Sequence, residues 1–157
     1  MGYIEELRSR VGHDCIKIPG GRAILADSEG KILLQKRTDF GTWGLPAGSA
    51  DGEESATESI IREVYEETGL IVDEPIPIAF SSNPEHEILT YPNGDVVHCY
   101  SLIFLCRRWS GTMITSNEET EELAFFAPDD LPEMVPNMRR SIELYLTHLA
   151  TGQFQID

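Results

Sequence analysis

The chain has 157 residues, 41% of them hydrophobic, with 27 acidic side chains against 12 basic ones and a formal net charge of −15. A chain of this length buries about 70% of its unfolded surface around one core, so one domain over residues 1–157 is expected. The net negative charge repels polyanions at long range and excludes a nucleic-acid duplex as the natural partner, and no apolar run reaches membrane-spanning length.

The N-terminus, MGYIEELRSR, is polar and helix-like, and residues 1–12 read as a helical extension of the domain. It lacks the apolar core of a signal peptide, and Glu6 breaks the myristoylation pattern. Cys15, Cys99 and Cys106 are odd in number and lack metal-ligand spacing, which reads as reduced, mostly buried thiols in a cytoplasmic protein. Residues 15–26 and 31–36 read as strands joined at Asp27-Ser28-Glu29-Gly30, an expected hairpin. Residues 38–47 are rich in turn formers, with Trp43, Leu45 and Pro46 expected to pack under the helix that follows. Further strands are expected at 75–80, at 88–91 and 96–108 around the turn Pro92-Asn93-Gly94-Asp95, and at 123–126. Residues 137–150 form an amphipathic helix with Met138, Ile142, Tyr145, Leu146 and Leu149 inward and Asn137 as its N-cap. His98, in an apolar strand, reads as a satisfied core histidine.

Residues 48–70 read GSADGEESATESIIREVYEETGL. Ser55 and Glu58 have the spacing of a capping box, and Gly69 stands where a left-handed C-cap is wanted, which predicts a helix over 56–68. On that helix Ile60 and Val64 share a stripe with Ala56, while Ile61 and Tyr65 form a neighbouring one, and both stripes are expected to face a core. Glu63, Glu66 and Glu67 stand at i, i+3 and i+4, which gathers three carboxylates on one arc. Like charges at this spacing destabilise a helix unless something compensates, and a hard divalent cation, Mg²⁺ or Mn²⁺, takes oxygen ligands of this kind. Arg62 projects from another sector and can pair with Glu54, pinning the preceding loop. Burying the apolar stripes of both long helices gives a mixed sheet of short strands between helices, an α/β/α sandwich.

Gly48, Glu54 and the run Arg62-Glu63-Val64-Tyr65-Glu66-Glu67-Thr68-Gly69-Leu70 resemble the Nudix box at every fixed position. The resemblance implies the same α/β/α sandwich and an Mg²⁺-dependent hydrolase that cuts a nucleoside diphosphate linked to another moiety. It implies that Glu63, Glu66 and Glu67, with the Gly48 carbonyl, hold the metal, and that Glu54 and Arg62 brace them. In this family the general base is sometimes a box glutamate, here Glu66 or Glu63, and sometimes a later loop glutamate. In the run 117–122 that points to Glu119 first and Glu122 second. Arg37 stands where the family often has a phosphate-contacting arginine, Phe40 or Tyr91 could stack on a base, and Asn137 lies where some members read a base edge.

The substrate expected is a small nucleotide. Pro84, fourteen residues past the box, leans toward ADP-ribose or a nucleotide sugar; a (deoxy)nucleoside triphosphate or a non-catalytic nucleotide-sensing module is the alternative. Monomer and homodimer are both left open.

Overall fold

The computed structural model describes residues 2–157. Helix α1 (Tyr3–Val11) leads into β1 (Ile16–Leu25), β2 (Ile32–Arg37), β3 (Trp43–Gly44) and β4 (Ala47–Ser49). Helix α2 (Ala56–Thr68) is followed by β5 (Leu70–Asp73), β6 (Ile76–Ser81), the short α3 (Pro84–Glu87), β7 (Ile88–Thr90), β8 (Val96–Cys106), β9 (Arg108–Gly111) and β10 (Thr120–Phe126). Helix α4 (Pro136–Thr151) and β11 (Gln155–Ile156) close the chain. The largest sheet runs β11-β6-β8-β1-β4 with β7 added to β8, and β1 lies parallel to β8 over its full length. The expected turn at residues 92–95 does join an antiparallel pair, β7 and β8.

Side chains alternate across these strands and build two cores, because successive residues of a strand point to opposite faces. Ala23 and Leu25 of β1, Leu33 of β2, and Phe104 and Cys106 of β8 pack against Ile60 and Val64 of α2. Ile24, Ile32, Leu34, Ile103 and Leu105 face the other way, onto Met138, Ile142 and Tyr145 of α4. The mixed α/β architecture with helices on both faces is therefore the one expected.

Four local expectations are corrected. Strands β1 and β2 are not a hairpin: one bridge, Ala26 to Ile32, links them, and β2 instead pairs with β10 and β3 in a separate sheet. One edge of β1 is taken by the parallel β8 over its full length and the other by β4 at Gly20 to Arg22. Trp43 and Leu45 pack in the α4 core rather than under α2, with Trp43 edge-on to Phe126 at 4.9 Å. Tyr65 of α2 and Leu146 and Leu149 of α4 are exposed, since each core is narrower than the apolar stripe that faces it. The cysteines are all free, but only Cys106 is buried; Cys15 is exposed and Cys99 half-buried. His98 is satisfied by the Ser82 carbonyl at 2.7 Å.

Candidate active site

Helix α2 starts and stops where its sequence dictates. Ser55 Oγ accepts from the Glu58 amide at 3.1 Å and Glu58 reaches back to the Ser55 amide, a reciprocal capping box, while Gly69 ends the helix at φ 80°. With Ile60 and Val64 locked in the core, the next arc of the helix turns Glu63 and Glu67 toward β4 and β2. Glu67 is only 4% exposed. It accepts from the Ala47 amide at 2.9 Å and from Gln35 Nε2 at 2.7 Å, and Gln35 in turn accepts from the Thr120 hydroxyl at 2.7 Å. Burial outweighs these donors and pushes the Glu67 carboxyl up to about 8.

Glu63 is pushed up to about 7, first by burial, with Arg62 working against it and the charges of Glu66 and Glu119 adding to it. Its carboxyl lies against Gly48: a Cβ built there would overlap it. The Gly48 carbonyl also lies close to Gly20, where an added Cβ would stand 2.7 Å from that oxygen. Arg62 gathers the acids around it. Its Nε and Nη2 donate to Glu54 at 2.9 and 2.6 Å, and its Nη1 donates to Glu63 at 3.0 Å and Glu66 at 3.1 Å. The Arg62 hydrogen bonds hold the Glu54 carboxyl down to about 2.

A pocket of about 340 Å³ opens beside this face of α2. Gly48, Glu63, Glu67 and Glu119 line it, and so do Arg37, Tyr91, Asn137 and Met138. Glu119 is held by its backbone, its amide donating to Asn117 Oδ1 at 2.9 Å and its carbonyl accepting from the Thr38 amide at 3.2 Å. Glu66 and Glu122 do not line this pocket; Glu66 is bound to Arg62, and Glu122 is exposed on β10 opposite Lys36. Among the described residues no three acid, histidine or cysteine side chains form a preformed cage. The donor chemistry nonetheless fits a hard divalent cation: two crowded carboxyls raised by desolvation, a glycine carbonyl, and an open pocket for a phosphate ligand. Mg²⁺ characteristically takes only one or two carboxylates and completes its shell with waters and phosphate oxygens.

Arg37 is fixed by Asp39, its Nε donating to Oδ1 at 2.9 Å and its Nη2 to Oδ2 at 2.6 Å. Its guanidinium lies 5.1 Å from the centre of the Phe40 ring, and Phe40 meets Tyr91 at 5.1 Å. Tyr91 lines the pocket, whereas Phe40, expected as a base-stacking residue, does not line it and packs against Tyr91. Asn137 corrects its expected role. It is the second residue of α4, with Val135 at the cap position, and it is buried with its side-chain Oδ1 left without a hydrogen-bond partner. A buried amide oxygen without a partner, beside a pocket, is an acceptor open to a ligand.

Three residues of this region escaped the sequence reading. Arg22 and Glu87 form a fully buried ion pair, with Arg22 Nη1 also donating to Ser141 Oγ at 2.9 Å. An arginine directly ahead of the apolar run Ala23-Ile24-Leu25-Ala26 was the available signal. Asp39 had none beyond its nearness to Arg37.

The NUDIX domain profile matches residues 18–145. The chain belongs to the Nudix family. It is a hydrolase that cleaves pyrophosphate bonds, like its relatives, whose names differ in substrate. A Bacillus subtilis (strain 168) protein provisionally named an 8-oxo-dGTP diphosphatase is 33% identical over 124 residues, covering 78% of this chain and 76% of its own. An ADP-ribose pyrophosphatase of Methanocaldococcus jannaschii is 27% identical over 137 residues, covering 85% and 74%. The solved structure of an ADP-ribose pyrophosphatase from Streptococcus suis superposes with a TM-score of 0.69 at 25% identity, covering 89% of this chain and 98% of its own. No helix among the described residues is long and apolar enough to cross a membrane.

Proposed function

We propose that this enzyme hydrolyses, with Mg²⁺ or Mn²⁺, a nucleoside diphosphate linked to a second moiety, with ADP-ribose or a nucleotide sugar preferred to a (deoxy)nucleoside triphosphate. The observation that carries the reading is one pocket bordered both by Gly48, Glu63, Glu67 and Glu119 and by Tyr91 and the unpartnered Asn137 amide oxygen. One set of groups suits a diphosphate and its cation, and the other suits a base. A cytoplasmic location and a single domain over residues 1–157 go with this reading.

Glu63, Glu67 and the Gly48 carbonyl would hold the cation, with Glu66 joining by leaving Arg62. The cation, when bound, neutralises phosphate oxygens and makes a water more acidic. Glu54 and Arg62 keep α2 and its leading loop in register, so the carboxylates need no rearrangement of the backbone. Glu119 takes the proton from the attacking water. As the new oxygen–phosphorus bond forms, the bridging oxygen–phosphorus bond breaks, and the products are a nucleotide and a phosphorylated second moiety. Tyr91 and Asn137 orient the nucleoside, the ring by its face and the amide by a hydrogen bond to the base edge.

The test is a Mg²⁺-supplemented panel of ADP-ribose, nucleotide sugars, dinucleoside polyphosphates and all (d)NTPs with products identified by mass. Cleavage of ADP-ribose or a sugar nucleotide to a mononucleotide is expected. No turnover with nucleotide binding retained would make the chain a sensing module and overturn the proposal.

A further inference from the structure

The charged groups that line the pocket are Arg22, Arg37, Asp39, Glu63, Glu67 and Glu119. Arg22 is spent on Glu87, Ser141 and the Asn137 carbonyl, all buried. Arg37 is spent on Asp39 through the Nε and Nη2 edge, the edge that a guanidinium otherwise offers to a phosphate in bidentate fashion. The Asp39 carboxylate is itself fixed by the Phe40 amide at 2.8 Å, so the pair is held at both ends. Burial works against the charge on Arg37, but the hydrogen bond and charge of Asp39, with the charges of Tyr91 and Glu67, together outweigh it and hold the guanidinium above its ordinary value. Among the described residues lining this pocket, both arginines are therefore engaged by carboxylates of the chain, Arg37 through its Nε and Nη2 edge, while Glu63, Glu67 and Glu119 line the same space.

We infer that Asp39 is a specificity-determining residue: by occupying Arg37 it denies a free terminal phosphate its bidentate partner and favours a diphosphate diester whose second moiety carries hydroxyl groups. The inference rests on the hydrolase reading above. A triphosphate is more anionic than a P1,P2-diester, and beyond a bound cation the lining of the pocket offers only the remaining Nη1 edge of Arg37 to meet the difference. The Arg37–Asp39 unit instead presents a neutral pair. The carboxylate's free lone pairs accept from a sugar hydroxyl, and the Arg37 Nη1 edge donates.

The experiment compares wild type, Asp39→Asn and Asp39→Glu. Two readouts are taken: kcat/KM for ADP-ribose and for dGTP or ATP in Mg²⁺, and calorimetric binding of inorganic tripolyphosphate in EDTA, without metal. Asp39 lies in an exposed turn, and a thermal melt of each variant verifies that the fold is kept. In Asp39→Asn the triphosphate-to-ADP-ribose ratio of kcat/KM rises by about ten-fold, as loss of one charge-assisted competitor predicts. Tripolyphosphate binds this variant about ten-fold more tightly than wild type. Asp39→Glu, which restores a carboxylate, stays near wild type in both. If Asp39→Asn changes neither the ratio nor the metal-free binding, the inference is overturned while the hydrolase reading stands. If wild type cleaves no diphosphate compound at all, the hydrolase reading falls, and the tripolyphosphate measurement still decides what Asp39 does.

Discussion

The carboxyl of Glu63 occupies the space that a side chain at Gly48 would need. The glycine is thus required by contact and not by a left-handed backbone. Gly48→Ala pushes the Glu63 carboxyl off the pocket wall, or pulls β4 away from β1. A displacement of about 1 Å at a reacting centre costs about 100-fold in rate. Steady-state kinetics should show kcat/KM down by about that factor, with the far-ultraviolet circular dichroism unchanged. Wild-type kinetics in this variant would detach the cradle from catalysis.

Glu67→Gln separates charge from packing. Glutamine keeps a carbonyl for the Ala47 amide but removes a carboxylate that burial holds up at about 8. Turnover should fall by about 100-fold or more, since a charged oxygen ligand is lost, while the melting temperature without metal stays level or rises. A variant that melts earlier and still turns over normally would contradict both halves.

The reach of sequence reasoning follows the range of each interaction. Ser55, Glu58 and Gly69 act within one turn of α2, and the helix begins and ends at the residues they mark. The Glu54–Arg62 brace, eight residues apart, was equally readable. Strand pairing was not: β1 chooses β8, a partner about half the chain away, and that choice removes the local hairpin with β2. The same holds within the site. The box acids were legible as a helical pattern, whereas the Asn137 amide acquires its meaning only when α4 is packed against the pocket. The buried partner of Arg22 lies 65 residues away, on a helix of four residues with no periodicity to announce it.

Metal and proton compete for the same oxygens, and the sign can be fixed. Glu63 at about 7 and Glu67 at about 8 both lie above the ordinary 4.5, so the metal-free native state binds more protons than the unfolded one between those values. Their contribution to stability is then fully present below about pH 4.5 and lost as pH rises through 7 to 8. A divalent cation displaces those protons, so its apparent affinity rises with pH across the same window. Calorimetric titration with Mg²⁺ at pH 7 in buffers of different ionisation enthalpy should register proton release. A cation affinity that is flat from pH 6 to pH 8.5 would contradict this account.

Arg22 and Glu87 tie three elements together beside the pocket: β1, the short α3 that precedes β7, and the first two turns of α4 through the Asn137 carbonyl and Ser141. Both side chains are almost wholly removed from water, at 3% and 0% exposure. A buried pair of this kind gains little over an apolar pair but costs heavily when halved, because the survivor is left charged and unpartnered. Glu87→Ala should therefore destabilise the protein by about 3–5 kcal/mol in urea unfolding. The double substitution Arg22→Met with Glu87→Leu should recover most of that loss, since Ser141 retains its own bond to the Asn137 carbonyl at 3.0 Å. A double-mutant cycle closed with the singles Arg22→Met and Glu87→Leu measures the coupling directly. Additive losses in the double variant would mean that the pair does not act as a unit, and that something other than mutual neutralisation holds α3 and α4 together.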